Sequence, residues 1–181
     1  TCWLDRNLGA SAVATSVNHS AAYGDLFQWG REVDGHQIRT SASTSTISGT
    51  DNPGHDKSIA SSSTYNNDWR SPKNDNLWQG VNGINNPCPT GWRIPTYSEF
   101  DNERLSWSPN NYDGALSSSL KFTPAGYRLF GAPADQVGAI GYYWTSGVLD
   151  VNAYRIHFTS SSTEIGDRGR SMGASIRCIK N

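Results

Sequence analysis

Residues 152–162 read "NAYRIHFTSSS", with Tyr154, Ile156 and Phe158 alternating with Arg155, His157, Thr159 and Ser161. A period of two predicts a half-buried strand with one apolar and one polar face. Beside it lie Asp150 and Asn152 in "GVLDVN", and Asp167, Arg168 and Arg170 in "EIGDRGR". Carboxylate acceptors, amide and guanidinium donors and hydroxyls, with Tyr142 or Tyr143 as a rigid anchor, are the groups of a polar recognition surface. An ordinary solvated sheet face has the same composition, so these residues alone leave both readings open. Residues 166–170, "GDRGR", also admit an anion clamp through two arginines, which Asp167 opposes.

Other chemistries find less support. His19, His36, His55 and His157 fall in no paired zinc-ligand spacing. Asp51, Asn52, Asp68, Asp75 and Asn76 are loop residues rich in oxygen ligands, so a structural calcium remains open. EF-hand spacing and the Glu-Pro-Asn or Gln-Pro-Asp triplet of calcium-dependent sugar-binding lectins are missing, and "NNP" at 85–87 lacks the carboxylate. No resident cofactor or metal is expected on these grounds. A Cys/His nucleophile pair would draw on Cys88 or Cys178, the two cysteines open to a disulfide. Paired carboxylates for glycoside hydrolysis are available among Asp5, Asp25, Glu99, Asp101 and Glu103, but Asp101 and Glu103 fit a solvated helix face as well. The expectation is a protein that is not an enzyme.

Composition sets the frame for these residues. The 181 residues suit one domain spanning 1–181, able to bury roughly 70% of its unfolded surface. Seven Trp, eight Tyr and 18 Gly against 17% charged residues favour strands, turns and polar loops. A net charge of −1 provides no field for collecting nucleic acid or anionic lipid. No apolar run approaches the roughly 20 residues of a membrane helix, so direct membrane insertion is not expected. Beginning at Thr1, the chain reads as an excised domain or mature fragment, with other domains of a longer chain among its partners.

Cys2, Cys88 and Cys178 form no CxxC pair. A Cys88–Cys178 disulfide would close a loop of about 90 residues and add up to ~4.5 kcal/mol on the chain-entropy model. Three buried free thiols are the alternative.

The elements that must position these residues are unevenly marked. "CWLDRNLGA" predicts a short strand and turn, and "AAYGDLFQWGRE" a helical turn sharing Tyr23, Leu26, Phe27 and Trp29 on one face. Thr96 with Glu99 forms a capping box behind Pro95, predicting a helix over 97–105 that buries Phe100 and Leu105. Residues 120–130 predict strand, turn, strand. "GYYWTSGV", "AYRIHFTSS" and "GASIRCIK" predict three C-terminal strands, with "STEIGDRGRSM" a long connection between the last two. The polar stretch of about 40–76 reads as a loop insertion that frames the site or contacts the next domain.

Four segments, "WLDRNLGA", "YGDLFQWGR", "NPCPTGWRIPTYSEF" and "YYWTSG … IRCIK", taken in order, resemble the Fibrobacter succinogenes major paralogous domain, abundant in surface proteins of gut and rumen bacteria of the Bacteroidetes type. The resemblance implies an α+β, C-type-lectin-like fold of the kind shared with the formylglycine-generating enzyme: two helices, a small twisted antiparallel sheet and extensive irregular loops. It also makes Trp92, Pro95 and Trp144 packing residues, Gly91 and Gly141 backbone-geometry positions, and Arg177 a structural donor. The C-terminal segment resembles the ligand-binding end of variable proteins diversified by retroelements.

With the resemblance, the residues read as an extracellular, non-enzymatic ligand-recognition domain, an adhesin or receptor-binding module of a bacterial cell surface. The site comprises Tyr143, Asp150, Asn152, Arg155, His157, Thr159, Ser161, Asp167, Arg168 and Arg170, and the partner is a host or microbial surface protein or a glycan. The alternatives are a receptor-binding module at a phage tail tip, a purely structural surface module, and an enzyme on the formylglycine-generating-enzyme fold.

Overall fold

The computed structural model describes residues 1–61 and 67–181. They form an α+β architecture of two helices and several small sheets among long irregular segments. In chain order the strands and helices are β1 (Phe27–Gln28), β2 (Ser43–Thr44), β3 (Ser58–Ile59), β4 (Trp92–Arg93), α1 (Tyr97–Leu105), α2 (Tyr112–Ser117), β5 (Gly141–Leu149), β6 (Asn152–Phe158), β7 (Thr163–Gly169), β8 (Gly173–Ala174) and β9 (Ile179–Lys180).

Helix α1 begins where its capping chemistry dictates. Thr96 Oγ1 accepts from the Glu99 amide at 3.3 Å and Glu99 Oε2 accepts from the Thr96 amide at 2.8 Å, so two otherwise orphaned donors are satisfied reciprocally. Arg93 forks onto the same carboxylate at 2.7 and 2.8 Å, which ties β4 to the helix start. Phe100 is fully buried; Leu105, expected beside it, is 59% exposed, because α1 has one anchoring turn rather than a continuous apolar stripe. Helix α2 is short and capped by Asn111, whose Oδ1 accepts from Asp113 and Gly114. A Cβ at Gly114 would fall 1.8 Å from the Pro109 carbonyl, so only glycine permits that approach.

Strands β5, β6 and β7 form an antiparallel meander. The connection expected between the second and third C-terminal strands is itself β7. Gly166, Asp167 and Gly169 have poor strand propensity, yet Arg155 pairs with Gly166 and Asn152 with Gly169, so tertiary pairing overrides propensity. Residues 173–180 separate into β8, paired with β1, and β9, paired with β4. The helical turn expected across 23–30 is instead strand β1, preceded by a 3-10 turn at Ser20–Ala22, and bracketed by Gly24 and Gly30 at positive φ. Residues 120–130 contribute only isolated bridges at Gly126, Tyr127 and Arg128, and the strand expected at the amino terminus is a single bridge, Trp3 to Ile179.

The meander lies between two cores. Tyr142, Trp144 and Ala153 pack with Phe27, Trp29, Trp69, Trp78 and Met172 on one side. Tyr143, Ile156 and Phe158 pack with Phe100, Trp107 and Phe122 on the other. Gly141 pairs with Phe158, where any Cβ would strike the Phe158 ring at 2.2 Å. Cys88 and Cys178 are disulfide-bonded, with Cα atoms 5.9 Å apart, and Cys2 is free and exposed. Arg177, next to the bridge, is buried with its guanidinium 4.5 Å from the Phe122 ring centre. It donates to Asn7 Oδ1 and to the Leu4 and Leu120 carbonyls, so it joins the amino-terminal segment to the core. Burial holds its pKa down to about 10. No helix among the described residues is long and apolar enough to cross a membrane.

Candidate functional site

The expected site residues divide into three groups along β6 and β7. Asp150, Asn152, Asp167, Arg168 and Arg170 gather at the β5–β6 turn, because Asn152 pairs with Gly169 and Ala153 with Arg168. Arg155 and His157 occupy the middle. Thr159 and Ser161 lie beyond the far end, about 20 Å from Asn152 at the rise of an extended strand. There Thr159 and the Ser160 carbonyl are tied to α2 through Tyr112 and Asn111, so this end is braced rather than continuous with the rest.

The middle group corrects the simple two-faced strand. Arg155 is only 3% exposed. Its guanidinium lies 4.8 Å from the Tyr142 ring centre and donates to Glu164 Oε1 at 3.0 Å. Tyr142 also stacks on His157 at 4.8 Å between centroids and meets Tyr127 edge-on at 5.0 Å. The polar face thus has its own apolar cover, and Arg155 lays its stem and charged plane against an aromatic ring. Burial lowers the Arg155 pKa, with the Glu164 hydrogen bond opposing. His157 is lowered by burial and then by Arg155, against Glu164. Glu164 is lowered chiefly by the Arg155 hydrogen bond.

Tyr143 and Arg170 are the other corrections. Tyr143 is fully buried: its hydroxyl accepts from Asn7 Nδ2 at 2.8 Å and the Thr123 amide at 3.1 Å, and donates to the Thr123 carbonyl at 2.9 Å. It anchors the second core and offers nothing to a ligand. Arg170 is 1% exposed, 4.7 Å from the Trp29 ring centre, and donates to Asp75 Oδ1 at 2.5 Å and the Asp150 carbonyl at 2.8 Å. Burial would raise Asp75, but the Arg170 hydrogen bond and Lys73 outweigh it and hold the carboxyl below its usual range. Lys73 Nζ donates to the Asp150 carbonyl at 2.9 Å. Residues 73–75 therefore clamp the β5–β6 turn, so this part of the 40–76 stretch lies against the candidate residues there; residues 62–66 of that expectation lie outside those described.

At the surface the site presents Asp150, its side chain 81% exposed, Glu164 at 58%, Arg168 and Ser161, with His157, Thr159, Asn152 and Asp167 half-buried. Asn152 donates to Asp167 Oδ2 at 2.6 Å. Glu164, Tyr127, Lys73 and Asp75 were not legible as site residues. Glu164 lies in an expected loop, and the other three reach their partners on the face from 15 to 95 residues away in sequence.

Two of the carboxylates considered for acid–base work, Glu99 and Glu103, line a 340 Å³ cleft with Trp3, away from the strand face. The Arg93 hydrogen bond holds Glu99 down to about 2, and Glu103 Oε1 accepts from Trp107 Nε1 at 3.0 Å. Among the described residues no three His, Cys, Asp or Glu converge as metal ligands; Asp51 pairs with Arg70 at 2.7 Å and Asp75 with Arg170.

No family model matches the chain, and no curated protein or solved structure matches it.

Proposed function

We propose that the chain is a non-enzymatic recognition domain on a C-type-lectin-like scaffold of the kind found in the Fibrobacter succinogenes major paralogous domain. It acts outside the cell, on a bacterial surface protein or a phage receptor-binding protein, and binds a surface protein or glycan. The observation carrying this reading is that exposed Asp150, Glu164 and Arg168 stand on backbone and side chains pinned by buried Arg155 and Arg170. A rigid polar face loses little freedom on binding, which favours complementarity without catalysis. The disulfide is compatible with an oxidising compartment. Exposed positions on such a scaffold can be exchanged without disturbing either core, as retroelement-diversified variable proteins require.

One observation favours a structural module instead: Tyr143, Arg155 and Arg170, part of the expected site, are committed to internal packing. An array of glycans and host and microbial surface proteins, probed with wild type and with an Asp150→Ala/Glu164→Ala/Arg168→Ala variant of equal melting temperature, separates the two. Binding lost in the variant supports recognition. Silence from wild type supports the structural module.

A further inference from the structure

Leu129, Phe130 and Met172, with Asn67, Ser171 and Arg168, line a cleft of about 190 Å³ where the 128–133 loop meets the end of β7. Phe130 is 54% exposed and sits at φ 49, a left-handed conformation that strains a residue carrying a Cβ. The loop presenting it is pinned from both sides. Buried Arg128 donates to the Ala132 carbonyl at 2.7 Å, the Gly131 carbonyl at 3.0 Å and both the carbonyl and hydroxyl of Ser41 at 2.6 Å. Its backbone pairs with Gly173 in both directions at 2.8 and 2.9 Å. Gly131 backs onto Ser43, where a Cβ would fall 2.4 Å from the Ser43 Cβ. Phe130 is therefore held outward by a fixed backbone, and an aromatic ring ordered in advance is the kind of group on which interface energy concentrates.

Arg168 supplies the second feature. It is exposed, and among the described residues its one side-chain hydrogen bond is a long one, 3.5 Å, to the carbonyl of Asp167. Among the described residues it has no carboxylate partner. Asp167 is held by Asn152, and Glu164 by Arg155 and His157. A cation beside an apolar cleft thus has no counter-charge among the described residues.

We infer that this cleft takes an apolar side chain of a protein partner whose neighbouring carboxylate pairs with Arg168. The inference rests on the strand-face reading above and narrows it from polar epitopes in general to an acidic and apolar peptide segment. Leu129, Phe130 and Met172 make the lining more apolar than polar, which suits an apolar side chain better than a sugar, whose many hydroxyls would find only Asn67, Ser171 and Arg168 as side-chain partners. The volume also lies below the roughly 300–1,000 Å³ of small-molecule sites, while a single side chain fits.

The test is selection of a phage-displayed library of random linear dodecapeptides on the immobilised chain, followed by fluorescence anisotropy of the enriched peptides. The expected consensus places Asp or Glu within two positions of Leu, Ile, Met or Phe. Arg168→Glu and Phe130→Ala each weaken its binding by about tenfold or more, the loss of one good contact, while Arg168→Lys retains most of it and the distant Val33→Ala changes nothing. Added salt weakens binding to wild type. Peptides that bind wild type and Arg168→Glu alike overturn the inference, as does a selection that converges on no sequence. If the array, repeated with an Asp150→Ala/Glu164→Ala variant that keeps Arg168, reports binding by wild type that the variant loses, only the peptide occupant falls; if wild type is silent there too, the strand-face reading falls with it.

Discussion

The guanidinium of Arg155 lies 4.8 Å from the ring centre of Tyr142, a diagonal neighbour across the β5–β6 pairing, in which Arg155 faces Trp144 and Tyr142 faces His157. Its Nε and Nη1 are buried without a hydrogen-bond partner among the described residues, and Nη2 alone reaches Glu164. Arg155 is thus a scaffold residue of the polar face, and it fixes Glu164 at the surface.

Replacing Arg155 with Ala is expected to destabilise the chain by about 1–3 kcal/mol, from lost stem packing and the cation–π contact rather than from the half-exposed ion pair. Urea unfolding measures it. A change below about 0.5 kcal/mol, within the range of ordinary surface substitutions, would show that Arg155 contributes nothing to the scaffold.

Opening the Cys88–Cys178 bridge, whose partners are 90 residues apart, is expected to cost up to about 4.5 kcal/mol by releasing loop entropy in the unfolded chain. Denaturant titration of a Cys88→Ala/Cys178→Ala variant checks this, and Cys2→Ala provides a control with unchanged stability.

Thr96→Ala removes the acceptor for the Glu99 amide and is expected to cost about 1 kcal/mol. Thr96→Ser should restore most of it. Thermal melts of the three proteins decide the matter.

His36 gives the pH dependence. Its Nε2 accepts from the Gln28 amide at 3.0 Å and its Nδ1 faces Asp34 Oδ1 at 2.5 Å, so the neutral ring fits the buried site. Burial lowers its pKa to about 4, with Asp34 opposing. The unfolded chain, with histidine near 6.5, then binds more protons between about pH 4 and 6.5. Stability from this group is full above about 6.5 and is lost as pH falls toward 4. Asp68, raised to about 6 by burial, acts in the opposite sense: its share declines as pH rises from about 4 to 6. The His36 contribution is isolated by comparing wild type with His36→Gln across this range; the difference in melting temperature is expected to narrow as pH drops.

Much of the scaffold is legible in local chemistry. Thr96 and Glu99 announce the start of α1, and the alternation through Tyr154, Ile156 and Phe158 announces β6. What escapes is whatever depends on distant partners. A period of two cannot distinguish water from a second core, and here Tyr142 and Tyr127 cover the polar side. Arg170 resembles a surface arginine until Trp29 and Asp75 close around it from 141 and 95 positions away. β7 is hidden by its own glycines, which owe their places to close contacts: a Cβ at Gly169 would fall 2.1 Å from Asn67 Cβ, and one at Gly166 3.4 Å from the Arg155 guanidinium.

Recognition is proposed for the exposed end of the β6–β7 face. Hydrogen–deuterium exchange of the chain, alone and saturated with a partner identified on the array, tests it most directly. Recognition at this face predicts new protection at 128–133, 150–152 and 164–169 with little change in α1. Protection confined to α1 and the cleft beside Trp3, with the β6–β7 face unchanged, would contradict it.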